Sequence, residues 1–311
     1  MQKLLSLLLI MCMALPGLWA QDCEMPIAVA FKTAVQPVPN STQRMVGNKL
    51  RQLLSANGVS GSFDFHPFAL VPSFEVMGKS VTPGPPKQVV YQLMLTLEVL
   101  NVEDGVVFST YSTDMDGVGT TEAAAFSDAV KRLSPRNQEL KHFIYEAKDR
   151  IIEHYNANLE RTLAKAEMLK QTRKYDEALC LLARVPECTN NYASVLKLME
   201  EVWQARVNLE GMKLLTKAQT IWGARTDSEA AIEAASLLAQ IDPESNSYAA
   251  AGELMREIKA KAEKNTPWNI GLKIYEDGVS LEQQRINAAR EVAITFAKNQ
   301  KESNPTFTFV K

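Results

Sequence analysis

The chain has 311 residues, 46% hydrophobic and 23% charged, with 34 Lys and Arg against 36 Asp and Glu for a formal net charge of -2. Its two signs of charge are interleaved throughout, whereas a polyphosphate partner needs basic residues gathered on one face, so composition argues against nucleic-acid binding. The length exceeds the usual single domain and predicts two, with a core that needs no staples.

At the N-terminus, Lys3 precedes the apolar run Leu4 to Leu15, then the helix-breaking Pro16 and the small Ala20. This layout predicts a secretory signal peptide over residues 1–20, cleaved before Gln21. The run is shorter than the ~20 apolar residues that span a bilayer, and no later segment reaches that length. Asp22 stands before Cys23, where a lipidation site wants a small residue. The mature chain is therefore expected in the periplasm or cell envelope, at most peripheral to the outer membrane.

Residues 21–135 predict an α+β domain. Pro26 to Val35 is a β-rich apolar run, and Ser41 to Asn57 carries Met45, Val46, Leu50, Leu53 and Leu54 at helical spacing before Gly58. Phe63 to Val71 and Val76 to Val81 are shorter β-like pieces, and Pro83-Gly84-Pro85-Pro86 separates them from the clearest strand. There Tyr91, Leu93, Leu95, Leu97 and Val99 alternate with Gln92, Met94, Thr96, Glu98 and Leu100. Glu103-Asp104-Gly105 predicts a hairpin turn, with Val106 to Thr113 as the returning strand. Gly117-Val118-Gly119 then reads as a turn before a helix capped at Thr120 or Thr121 and running to Leu133. The predicted order is β-α-β-β-β-α, a sheet with two helices on one face.

The acidic hairpin turn, the return strand, the Gly-x-Gly-x-Thr step and the helix with Ala125 and Ala129 four apart resemble small bacterial envelope domains. These include the N-terminal domain of the TolB translocation protein, flagellar-assembly lipoproteins and the periplasmic part of the curli secretion channel. The resemblance covers about 110 residues and implies an accessory or assembly role. Pore formation is not implied, because the amphipathic spanning strands and a lipidated cysteine are missing.

From Asn137 to about Lys170, Leu140, Phe143, Ile144, Ala147, Ile151, Tyr155, Leu159, Leu163, Ala166 and Leu169 recur every three or four residues. This predicts a linker helix over 136–172, about 50 Å long if unbroken, or two helices if Asn156-Ala157-Asn158 introduces a kink. Residues 173–265 then contain an internal copy. Leu181 to Val202 (LLARVPECTNNYASVLKLMEEV) returns without a gap fifty-six residues later as Leu237 to Ile258 (LLAQIDPESNSYAAAGELMREI). Each copy reads as helix, Pro-containing turn, helix, a unit that cannot bury its apolar face alone, so the copies are expected to stack. Lys174-Tyr175-Asp176-Glu177-Ala178-Leu179, followed by Leu182 and Val185-Pro186, resembles the second helix of a tetratricopeptide unit. The fifty-six-residue offset fits neither one such unit nor two, which predicts an extra helix at about Glu210 to Ala224.

Residues 266–311 predict a capping helix after the box Ser280-Leu281-Glu282-Gln283, and a strand-like tail, Thr306 to Val310. The tail suits either this chain's own sheet or a partner's. Cys180 and Cys188 stand close enough for a local bridge, although the second copy has Ser236 and Glu244 there and manages without one; Cys23 is then unpaired.

No chemistry-bearing motif emerges. Gly117-Val118-Gly119 lacks the Gly, Lys or Ser that a phosphate loop requires, Asp114-Met115-Asp116-Gly117 lacks further calcium ligands, and His66, His142 and His154 do not converge. No cofactor, metal or catalytic residue is expected. The expected function is a non-enzymatic, exported interaction or assembly scaffold that binds other envelope proteins, with Tyr192, Tyr248, Trp203, Trp268, Phe307 and Phe309 as candidate partner-binding residues. Alternatives are a glycan or small-ligand binder, or a hydrolase, working between the domains, and a homo-oligomer completed by the C-terminal strand.

Overall fold

The structure, a computed structural model, describes residues 25–33, 38–59, 67–262 and 307–309. The predicted signal peptide, Cys23, His66, Trp268 and the predicted capping helix lie outside the described residues.

Strand β1 (Ile27–Lys32) leads to helix α1 (Asn40–Ala56), then to strands β2 (Phe68–Thr82), β3 (Gln88–Asn101) and β4 (Val107–Gly119), and to helix α2 (Glu122–Lys131). The β-α-β-β-β-α order is the predicted one. β1 runs parallel to β2, while β2, β3 and β4 form an antiparallel meander. A short β5 (Phe307–Phe309) pairs antiparallel with β1, giving the strand order β4-β3-β2-β1-β5. The alternation in β3 works as read: Tyr91, Leu93, Leu95, Leu97 and Val99 are all buried on the face that α1 and α2 cover. On the opposite face Ala30, Ala69, Val71 and Leu100 form a small separate cluster.

Two local expectations change. The pieces expected as separate strands belong to one strand, β2, which the ladder to β3 crosses with a register shift between Val76 and Gly78. The bulge takes up one extra residue, which breaks the apolar alternation without ending the strand. Gly117-Val118-Gly119 is the end of β4, not a turn, and its glycines are there for contact with α2. A Cβ on Gly117 would stand 2.0 Å from the Ala125 carbonyl oxygen, and one on Gly119 2.5 Å from the Ala125 nitrogen. Thr121 caps α2 as expected, accepting the Ala124 N–H at 3.2 Å.

Among the described residues five helices follow: α3 (Gln138–Gln171), α4 (Tyr175–Ala183), α5 (Tyr192–Ala224), α6 (Ser228–Leu238) and α7 (Tyr248–Ala262). α3 is one unbroken helix of 34 residues, capped by Asn137, whose side chain accepts the Glu139 N–H at 2.8 Å. The extra helix expected at Glu210 to Ala224 is instead the second half of α5, which serves as the last helix of the first copy and the first of the second. Sharing α5 accounts for the offset. The first half of α3 packs on the sheet, through Phe143 against Tyr111 (5.8 Å between centroids) and Tyr155 against Phe68 (5.9 Å). Its second half packs against α4, so a single core runs from Met25 to Val202 across the sheet and the first helical copy. A second core, from Ala218 to Ile258, belongs to the second copy. No helix among the described residues is long and apolar enough to cross a membrane.

Cys180 and Cys188 do not bridge each other. Cys180 is a free thiol buried in the core on α4, while Cys188 is disulfide-bonded in the following turn. Cys180 is part of the core that the sheet and the first helical copy share.

Gly117→Ala is expected to cost about 2–3 kcal/mol in urea denaturation, because α2 must move off the sheet. Gly84→Ala, with open space around its Cβ, is the control expected within about 0.5 kcal/mol of wild type. Burial raises the Cys180 thiol to about 11 from 9.0. The unfolded chain therefore ionises this thiol while the folded chain keeps it protonated, and stability falls as pH rises between those values. Denaturation midpoints of wild type and Cys180→Ala, compared from pH 8 to 11, should show a shallower alkaline decline in the variant.

Candidate partner-binding surface

The two helical copies repeat in their bonds as well as in their sequence. In the first, Val185 N–H bonds Leu182, Thr189 N–H bonds Pro186 and Tyr192 N–H bonds Thr189; in the second, Ile241, Ser245 and Tyr248 bond Leu238, Asp242 and Ser245 in the same way. Val185 and Ile241 fill the same buried position, as do Thr189 and Ser245. Each turn is also held by an asparagine from the preceding long helix. Asn156 on α3 accepts the Asn190 N–H at 2.7 Å, and Asn208 on α5 accepts the Asn246 N–H at 2.9 Å. These asparagines escaped the sequence reading because their offset is four residues shorter than that of the turns. Four residues are about one helical turn, which keeps both on the same face while breaking an ungapped match. In the second copy Gly211 lets α5 approach the turn, since a Cβ there would lie 2.1 Å from Ser245 Oγ.

Within this frame Tyr192 and Tyr248 each open a helix, at equivalent positions. Tyr192 is half-buried against the continuous core, whereas Tyr248 is 36% exposed. Ile232 on α6 and Met212 on α5, both in the second copy, are 57% and 49% exposed. Trp203 lies three turns along α5 from Tyr192, half-buried on the first core, with the Arg206 guanidinium 5.6 Å from its ring centroid. Arg206 also pairs with Asp176 at 2.8 Å and Glu210 at 3.2 Å, forming one wall of an open cleft between the start of α4 and the middle of α5. Lys213, Arg173 and Glu177 line that cleft too, so it presents both signs of charge. Phe307 and Phe309 lie on β5, in register with Lys32 and Ala30 of the chain's own β1. The six candidates are thus not gathered into one site: Tyr192 and Trp203 belong to the first copy, Tyr248 to the second, the two phenylalanines to the sheet edge, and Trp268 is outside the described residues.

Two other groups have packing roles. Trp222 is buried and donates its Nε1–H to Glu257 at 3.1 Å, which leaves it no free face for a sugar. The bond from Trp222, followed by that from Lys261, lowers the Glu257 carboxyl. His154 sits edge-on to Phe108 at 5.4 Å and to Tyr155 at 5.5 Å. Among the described residues no cluster of His, Cys, Asp and Glu is arranged to hold a metal.

No family profile matches this chain, and no curated protein does. Among solved structures, one described as "a putative lipoprotein from Caulobacter crescentus CB15" aligns over 39% of this chain and 89% of its own, with 14% identity and a TM-score of 0.25. A likeness at that level carries no functional information.

Replacing Asn156 or Asn208 by Ala is expected to cost about 0.5–1 kcal/mol each in urea denaturation, the net worth of a hydrogen bond whose N–H stays open to water. Asn156→Asp keeps an acceptor oxygen and should recover most of that loss.

Proposed function

We propose that this chain is an exported, non-enzymatic protein of the cell envelope that works as an interaction scaffold. The helical half receives a partner protein on its second copy, and the α+β lobe joins the pair to a larger envelope assembly. The observation that carries this reading is the difference between Tyr192 and Tyr248. Both follow the same bonded turn, yet Tyr192 is half-buried against the continuous core, whereas Tyr248 is 36% exposed and belongs to neither core. An exposed tyrosine on a rigid helix start offers a large contact area at little entropic cost, which is what protein interfaces concentrate.

The two copies read as tetratricopeptide-like units joined through a shared helix, and such stacks commonly bind proteins on an extended surface. The sheet reads as akin to the envelope domains of the TolB type. Lys3, the apolar run to Leu15 and Ala20 supply the route of export.

Crosslinking in intact cells, with an affinity tag placed after residue 20, is expected to retain the same envelope protein in repeated purifications. Tyr248→Ser should lower its recovery about tenfold with no change in melting temperature, while Tyr192→Ser should instead lower the melting temperature. A chain recovered alone after crosslinking would refute the scaffold; undiminished recovery with Tyr248→Ser would refute the binding face.

A further inference from the structure

We propose that two copies of this chain pair through the outer edge of β4, antiparallel and in a register centred on Thr113, to make one continuous sheet. β4 ends the strand order β4-β3-β2-β1-β5, so its outer side meets no strand among the described residues. Two side-chain bonds identify that outer side. Arg150 of α3 donates to the Phe108 carbonyl at 3.2 Å, and Asp128 of α2 accepts the Val118 N–H at 3.2 Å. Along an antiparallel strand every second residue turns both of its peptide groups to the same neighbour. Thr110, Ser112, Asp114 and Asp116 therefore direct their N–H and C=O groups away from β3, as Phe108 and Val118 do. Between the two caps these groups meet no backbone partner among the described residues, and all four residues are exposed. An edge left open in this way is a template for another strand.

Symmetry and charge select a second copy as the occupant. β4 runs from Val107 to Gly119, so a register centred on Thr113 lets a second β4 cover it end to end. That register sets Asp114 opposite the partner's Ser112 and Asp116 opposite the partner's Thr110, and both hydroxyls can donate to the carboxylates. Centring the pair one residue further along would set Asp114 against itself, and two residues further would set it against Asp116. The acids that ordinarily protect an edge here fix its register. The caps meet as well: Val118 faces the partner's Phe108, which brings Asp128 to the partner's Arg150, and the two-fold axis repeats that contact at the other end. The outward residues of the two strands then exchange about eight backbone hydrogen bonds. On the helix side of this edge, a cavity of about 160 Å³ is lined by Thr113 to Asp116 and by Arg132 and Ser134 beyond α2. It gives room to the side chains that a second strand turns towards the helices. The pairing is independent of the scaffold reading, since it needs no other envelope protein.

The test is sedimentation equilibrium of the chain from Gln21 to Lys311 over rising concentration, with thermal melts taken where the wild type is still monomeric. The wild type is expected to approach twice the mass of one chain. Ser112→Pro removes an outward N–H that the chain's own sheet does not use, and should weaken association at least about tenfold with little change in the melt. Asp128→Arg and Arg150→Asp should each be monomeric alone, because like charges then meet at both ends. Mixed together they should form a dimer with one chain of each, because each supplies the charge that the other lacks. Thr113→Cys, whose side chain faces its own copy across the axis, should link residue 113 to residue 113 on oxidation. A wild type that stays monomeric at every concentration would overturn the proposal, and with it the case for a second copy over another protein's strand. Undiminished association of Ser112→Pro, charge variants that melt like wild type but do not associate with each other, or a Thr113→Cys chain that links elsewhere or not at all would each overturn it too.

Discussion

The apolar stripe along α3 is the constraint on which the rest of the molecule depends. Leu140, Phe143, Ile144, Ala147 and Ile151 are buried on the sheet side, and Leu159, Ala166 and Leu169 on the helical side, with Tyr155 between them. At about 1.5–3 kcal/mol for each large buried side chain, neither half of this stripe could be exposed cheaply. The polar residues that might have broken it are bonded in ways that leave the helix intact: Asn158 donates to the His154 carbonyl at 2.8 Å, and Thr162 donates to the Asn158 carbonyl at 3.1 Å. Asn156 faces outward to the next turn. The sheet and the first helical copy consequently share one core, and a load applied to one is carried to the other through side-chain packing.

The second copy stands differently. It repeats the bonds of the first, but its core is separate, and α5 alone passes from one to the other. Equivalent residues therefore acquire different roles from their neighbours, not from their local sequence. Burial raises the Tyr155 phenol most, and the Asp104 carboxylate adds to the rise, because the sheet closes over that part of α3. Among the described residues no strand lies over α5 to do the same for the second copy's aromatics.

Much of this was readable from residue pattern. Alternation located β3, the Asp-Gly turn located the hairpin, Thr121 located a cap, and the ungapped copy located two helix-turn-helix units. What escaped did so for stated physical reasons. A bulge near Met77 interrupts the period without interrupting the ladder. Gly117 and Gly119 look like turn residues, but they are needed where a helix backbone touches a strand, and only the packed structure supplies that helix. The repeat offset predicted a separate helix from about Glu210, yet α5 runs on through Gly211, since one glycine costs a helix only about 1 kcal/mol, and its missing side chain is what admits Ser245. The candidate surface was legible as residues but not as exposure: Tyr192 and Tyr248 hold equivalent positions in the repeat, and the packing around them makes the first half-buried and the second 36% exposed.

Specificity in the helical half comes from its turns more than from its ion pairs. Arg225 with Glu229, Lys174 with Glu177 and Lys261 with Glu257 are exposed pairs three or four residues apart, and pairs of this kind contribute about 0–1 kcal/mol. The turns instead close on their own backbone bonds, which recur residue for residue in both copies, and bury Thr189 and Ser245, of which Ser245 Oγ accepts the Ser247 N–H while Thr189 Oγ1 has no hydrogen-bond partner. The outward side chains of the second copy thus contribute less to its stability than the turns beneath them, with Glu257, which accepts the Trp222 Nε1–H, the exception.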